Sequence, residues 1–231
     1  MKMKKIIIVS GGASGLGYHL VKQLLDKDFI VCAIDFNKEK LEQLENEFQD
    51  NYYSFHGDVS DSEFVTKTIS EISTMGNIYG LINSAGEPTF KMPKDYQKED
   101  IDRCFKGLEG MILLTSKVLE VTSESNVKII NVMSSAALRG NKQESVYCAT
   151  KWGERGYTES LKVAYKGTSV KVIGVYPGGM NTDFYQNSRD YVSLEKQKTF
   201  MDPSDVASIM ITNIFSDLNL TVSDLVIERN S

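Results

Sequence analysis

Tyr147 and Lys151 stand four positions apart in the pentapeptide YCATK, and on a helix that spacing puts both side chains on one face. A free phenol ionises with a pKa of about 10, and a neighbouring ammonium lowers it by favouring the phenolate, which brings proton exchange with a substrate nearer to neutral pH. The same pair arises in any amphipathic helix, so alone it reads first as packing. Thirteen residues before Tyr147, Ser134 follows the apolar run VKIINVM. A hydroxyl there can hold an oxygen on which negative charge develops as a carbonyl is reduced.

A second cluster is suited to binding. After the run KIIIV at 5–9 comes Ser10-Gly11-Gly12-Ala13-Ser14-Gly15-Leu16-Gly17, and Leu16, Leu20, Val21, Leu24 and Leu25 then recur at helical spacing. Between a strand and a helix, glycines allow a tight turn and let backbone N–H groups approach a pyrophosphate at the positive end of the helix. Asp35 ends the run FIVCAID, eighteen residues beyond Gly17. A carboxylate at that place accepts hydrogen bonds from the adenosine ribose hydroxyls and repels a 2′-phosphate, which favours NAD over NADP. Ser14 and Phe36 are uncharged, so neither offers a cation to such a phosphate. A plain Gly-rich turn and a surface Asp are the alternatives, and the position of both features in one strand–helix–strand unit argues against them.

The rest of the chain supplies the elements to position these groups. Short β-branched runs at 5–9, 29–35, 52–57, 78–86, 127–135, 169–179 and 222–228 read as strands. Helical spacing falls between them, over 38–48, 61–74, 98–122, 145–165 and the segment opening at Pro203. Strands alternating with helices of this length imply right-handed crossovers and a doubly wound parallel α/β sheet, whose ligands sit at the carboxyl ends of the strands. No repeat, low-complexity tract or Pro-rich linker divides the 231 residues, so a single domain over 1–231 is expected.

Composition narrows the partners. A formal charge of -5, with no basic run beyond KMKK at the start, argues against nucleic acid. Cys32, Cys104 and Cys148 are odd in number and widely spaced, which indicates neither disulfides nor a metal site. The opening apolar run is too short for a secretory leader, and no later stretch approaches a membrane span, so a soluble cytoplasmic protein without membrane contact is expected.

With these motifs in order, together with NSAG at 83–86 and PGGMNT at 177–182, the chain resembles the short-chain dehydrogenase/reductase family over nearly its whole length. The resemblance implies a seven-stranded Rossmann sheet in the order 3-2-1-4-5-6-7. It also implies an alcohol/carbonyl oxidoreductase in which Ser134 orients the substrate, Tyr147 moves the proton, and Lys151 binds the nicotinamide ribose and lowers the phenol's pKa. Ser135 is a second occupant of the serine role, with the spacing to Tyr147 favouring Ser134. Cofactor contacts carried over are Gly11, Ser14, Gly15, Leu16 and Gly17 of the loop; Asp35; Asp58 and Val59 at the adenine; Asn83, Ala85 and Gly86; and Pro177, Gly178 and Thr182, with Tyr147 and Lys151. A homodimer or homotetramer is implied as well.

One departure sets a rival reading. The family usually carries an asparagine on the helix after the fourth strand, where it helps hold a water of the proton relay, and here the matching stretch KGLEGMILLT has Gly107. Either the relay uses water and backbone, or the protein is a nucleotide-sensing or scaffold relative with weak or lost catalysis. The substrate, a small alcohol or carbonyl molecule, is expected between the turn at 87–90, Leu138 and Arg139, and a mobile loop at 184–200 offering Tyr185 and Tyr191.

Overall fold

The computed structural model of the chain describes residues 5–123, 126–186, 188, 191–215 and 220–230. The basic opening at 1–4, and positions 187, 189 and 190 of the expected substrate loop, lie outside them. Seven strands, β1 (Lys5–Ser10), β2 (Ile30–Asp35), β3 (Tyr52–His56), β4 (Asn77–Asn83), β5 (Lys128–Val132), β6 (Lys171–Pro177) and β7 (Asp224–Ile227), form one sheet. Its order is β3-β2-β1-β4-β5-β6-β7 with every pairing parallel, as the sequence pattern and the resemblance anticipate. Helices α1 (Gly15–Leu25), α2 (Lys38–Glu47), α3 (Ser62–Met75), α4 (Lys98–Thr122), α5 (Ser145–Ala164) and α7 (Pro203–Ile214) cover it, and a short α6 (Leu194–Gln197) lies in the expected loop.

Strand periodicity explains why β1 is apolar throughout. Successive side chains face opposite sides, so Ile7 and Val9 pack with α1, α2 and α7 through Leu20, Leu41 and Met210. Ile6 and Ile8 pack with α3, α4 and α5 through Ile69, Leu114 and Leu161. Both faces are buried, and an alternating polar pattern has no place in such a strand. Local side chains start several of the helices. Asn37 accepts from Lys40 N at the head of α2, Asp61 from Glu63 N and Phe64 N at α3, Asp202 from Ser204 N at α7, and Gln97 forms a capping box with Asp100 at α4. Among the described residues, no helix is long and apolar enough to cross a membrane.

Register carries the sheet's information about the site. Ser10 is opposite Asn83, Asn83 opposite Asn131, and Asn131 opposite Gly174. The row lies on the α3–α5 face, where apolar packing gives way to polar contacts. Asn83 Nδ2 donates to Asn131 Oδ1 at 2.9 Å and to Thr115 Oγ1 of α4 at 3.0 Å, and Asn131 Nδ2 donates to Thr158 Oγ1 of α5 at 2.9 Å. Thr158 passes its own hydrogen to the Glu154 carbonyl at 2.7 Å. These side chains are fully or almost fully buried, so each bond satisfies a group that water cannot reach.

Replacing Asn131 by the similarly sized Leu strips partners from Asn83 and Thr158 together. The expected loss is about 1–3 kcal/mol of stability, read as a lower urea midpoint at an unchanged m-value; an unmoved midpoint would show that the row contributes nothing.

Candidate active site

The carboxyl ends of β1, β4, β5 and β6 converge on one edge, where the motifs of the sequence meet. Gly11 turns the chain out of β1 at φ 68°, a left-handed conformation open to glycine, and a Cβ there would lie 3.0 Å from Ala85 Cα. Gly17 admits no side chain either, since a Cβ would stand 1.9 Å from the Gly11 carbonyl oxygen. Ser10 Oγ accepts from Ser84 N at 3.1 Å and Ala85 N at 3.2 Å, tying the turn after β4 to the end of β1. The sequence contained this serine at the mouth of the loop, but only the register shows its role.

Helix α1 has Ser14 at its N-cap without a side-chain cap bond, and no acid in its first turn. Its leading amides are therefore left for an outside acceptor. The cradle fits a pyrophosphate group: backbone held close by glycines, an uncapped helix start, and an exposed Ser14 hydroxyl. Leu16 contributes backbone alone, because its side chain is buried in the core. Asp35, 7% exposed, accepts from Ala13 N at 3.1 Å through Oδ2 and from Asn37 N at 2.9 Å through Oδ1, so the carboxylate also pins the glycine loop.

Asp58 follows β3 and binds Ser60 N at 2.9 Å and the Lys106 ammonium at 2.7 Å. Partial burial alone would raise its pKa, but the bonds to Lys106 and Ser60 outweigh it and hold the carboxyl below its usual value. Val59 packs where α4 carries Gly110, a Cβ on which would meet Val59 Cγ2 at 2.4 Å. Beyond Pro177 and Gly178 the chain returns over the glycine loop, and a Cβ on Gly15 would stand 3.5 Å from Thr182. Lys40 of α2 reaches Asp183 at 3.7 Å across the same mouth.

Ser134 and Tyr147 are brought together: the serine hydroxyl is near enough to the phenol to pull its pKa down, while Ser134 Oγ accepts from Ala136 N at 3.1 Å. Ser135 begins the short helical turn Ser135–Ala137 instead. Lys151 Nζ lies 5.7 Å from the Tyr147 ring centroid, and a Cβ on Gly86 would stand 3.7 Å from it.

The expected electrostatics do not hold. The phenol's pKa is raised, not lowered, and the Lys151 ammonium is bound by both carboxylate oxygens of Glu154 at 3.0 and 2.9 Å. Burial raises the Tyr147 pKa well above the ordinary tyrosine value, the Ser134 hydroxyl opposes it, and the charges of Glu154 and Glu144 add to the rise. Glu154 is visible in the sequence as an acid three residues after Lys151, but nothing local shows that the pair is buried.

Aromatic rings cover the phenol. Phe90 meets Tyr147 edge-on at 5.6 Å and Phe184 does so at 5.9 Å, while Phe90 stacks on Tyr191 at 4.5 Å and on Tyr185 at 5.6 Å. The Tyr191 hydroxyl hydrogen-bonds Glu144, and Gln197 Nε2 of α6 donates to the Thr182 carbonyl at 2.8 Å. Two further residues expected at the pocket have their own contacts. Leu138 packs with Met133 and Tyr176, and Arg139 turns its exposed guanidinium to Glu228 at 3.8 Å.

The family model described as short chain dehydrogenase matches residues 5–193. An uncharacterised oxidoreductase of Staphylococcus aureus is 27% identical over 227 residues, 96% of each chain. Among solved structures, the closed form of a serine dehydrogenase complexed with NADP+ superposes with a TM-score of 0.88 at 24% identity, covering 96% of this chain and 94% of that one. A 4-hydroxyisoleucine dehydrogenase complexed with NADH gives 0.85 at 23% identity, covering 97% of each.

Gly17→Ala tests the cradle. Its Cβ cannot fit without pushing Gly11 away, so NADH affinity should fall by about tenfold or more, in a protein that has also lost a few kcal/mol of stability. Fluorescence titration and thermal unfolding measure the two effects, and unchanged affinity would overturn the assignment of the loop.

Proposed function

We propose that this chain, which belongs to the short-chain dehydrogenase family, interconverts an alcohol and a carbonyl with a nicotinamide dinucleotide as redox partner. The observation that carries the reading is the gathering of Ser134, Tyr147 and Lys151 at the strand edge that also holds the glycine cradle. Bound there, the dinucleotide supplies or accepts the hydride. In reduction, Tyr147 donates its proton to the carbonyl oxygen, Ser134 holds that oxygen, and the Lys151 charge lies beside both. The uncapped start of α1 and the loop amides take the pyrophosphate, Asn83, Ala85 and Gly86 shape the wall beside it, and Thr182 closes over it. The rings of Phe90, Phe184, Tyr185 and Tyr191 exclude water from the phenol.

NAD is preferred to NADP in this reading, because the Asp35 carboxylate lies at the end of β2 and repels a 2′-phosphate. The nearby cation Lys40 is already engaged by Asp183. The binding-only alternative raised by Gly107 lacks support, since Ser134, Tyr147 and Lys151 are gathered at one place. Ile101, Phe105 and Ile112 form an exposed apolar stripe on α4, with Trp152 exposed on α5, and these helices supply the contact of a homodimer or homotetramer. Three free buried cysteines suit a reducing cytoplasm.

Tyr147→Phe should lower NADH-dependent reduction of diacetyl, cyclohexanone or acetophenone by about 100-fold or more with NADH binding retained. If wild type binds NADH and the two proteins are indistinguishable across the panel, the enzyme reading fails. Asp35→Ala should improve NADPH relative to NADH by about tenfold, and an unchanged ratio would remove that carboxylate from cofactor selection. Because burial raises the phenol's pKa, the base needed for alcohol oxidation forms only as pH rises. Oxidation should therefore climb through the alkaline range while reduction stays level at neutral pH; an oxidation rate independent of pH would contradict this.

A further inference from the structure

Lys151 and Glu154 are an i,i+3 pair on α5. On an exposed helix face such a pair contributes a few tenths of a kcal/mol and loses most of that in salt. This pair is not exposed: the side chains are 9% and 1% accessible, and both carboxylate oxygens contact Nζ. Gly107 of α4 borders the carboxylate. A Cβ there would lie 3.3 Å from Gly86 Cα and 3.8 Å from Glu154 Oε1. The position that raised the possibility of lost catalysis is thus bordered by an acid from the neighbouring helix.

Cys104 from α4 and Tyr147 from α5 feel the pair's charge, and Glu144 at the head of α5 and Tyr185 from the aromatic cover face Tyr147 in turn. Burial pushes the Glu154 carboxyl up, and Lys151 pulls it back. An ammonium in such a place needs an opposite charge, since a buried charge left alone is strongly disfavoured. The same carboxylate offsets the ammonium's pull on the phenol and favours its protonated form.

Resting on the carbonyl-reduction reading above, we propose that Glu154 is a positioning residue for that reaction. Bordered by Gly107, its carboxylate fixes the Lys151 ammonium beside Tyr147.

Two measurements on Glu154→Gln test this. The first is the lysine-ammonium NMR spectrum of the nucleotide-free protein, in which the Lys151 signal is identified by its loss in Lys151→Met. It should be displaced or lost in Glu154→Gln. The second is the pH profile of diacetyl reduction by NADH. With the carboxylate neutralised, the ammonium's field falls on the phenol unopposed. The basic limb, where the phenol loses its proton, should then move about one unit to lower pH. The kcat should fall about tenfold, with the KM for NADH within about threefold of wild type.

A Lys151 signal and a basic limb both unmoved overturn the proposal. So does a fall in kcat with the limb in place in the Gln variant, the mark of a packing role. Glu154→Asp keeps the charge and withdraws it by one methylene, and it decides the matter should Gln not fold. A displaced Lys151 signal with kcat lowered several-fold supports the role, and both unchanged overturn it. If wild type reduces no carbonyl, the enzyme reading fails, while the ammonium spectrum still tests the pairing.

Discussion

A chain of buried polar groups joins the sheet to α5, and the working edge of the molecule depends on it. Asn83 on β4 bonds Asn131 on β5, Asn131 bonds Thr158 on α5, and Thr158 bonds the backbone of Glu154, whose carboxylate binds Lys151. Each member is shielded from water, so each must find its partner inside the protein or leave a costly orphan. The demand is directional, unlike apolar packing, and so it fixes how far α5 is rotated and slid along the sheet. That setting places Tyr147, one turn before Lys151, against Ser134 at the end of β5.

The site's electrostatics follow from a contest between burial and charge. Reasoning from Tyr147 and Lys151 alone leaves the ammonium free to act on the phenol. In the folded chain its field is met by Glu154, and the aromatic cover of Phe90, Phe184, Tyr185 and Tyr191 removes the water that would solvate a phenolate. Desolvation therefore prevails, and the protonated acid is the resting state. Glu144, bonded to Tyr191, adds negative charge from the head of the helix.

Much of the architecture was legible without coordinates. The strands show as short β-branched runs and the helices as recurrences of apolar residues, with breaks at Gly and Pro, and those patterns act over a few residues each. Element ends differed by up to three residues: the helix expected at 61–74 runs over Ser62–Met75, the one expected at 145–165 stops at Ala164, and the strand expected at 127–135 stops at Val132. Such ends are settled by caps and by single hydrogen bonds, which periodicity does not weigh. The segment at 184–200 read as loop, yet it contains the turn Asp183–Tyr185 and α6, held down through Gln197 and the stacked rings.

What the sequence by itself determined was the alternation of strands and helices that makes the sheet parallel, the glycine turn that only residues without a Cβ can make, and the presence of a serine, a tyrosine and a lysine on successive elements at the same sheet edge. These follow from local sterics and from spacing along one chain. Tertiary structure alone decided the partners. Register set Ser10, Asn83 and Asn131 in one row, the approach of α4 set Gly107 against Glu154, and packing seated Leu138 against Met133 and Tyr176 and brought Arg139 near Glu228. Charge compensation and desolvation depend on distances between segments far apart in sequence, and no local pattern encodes those distances.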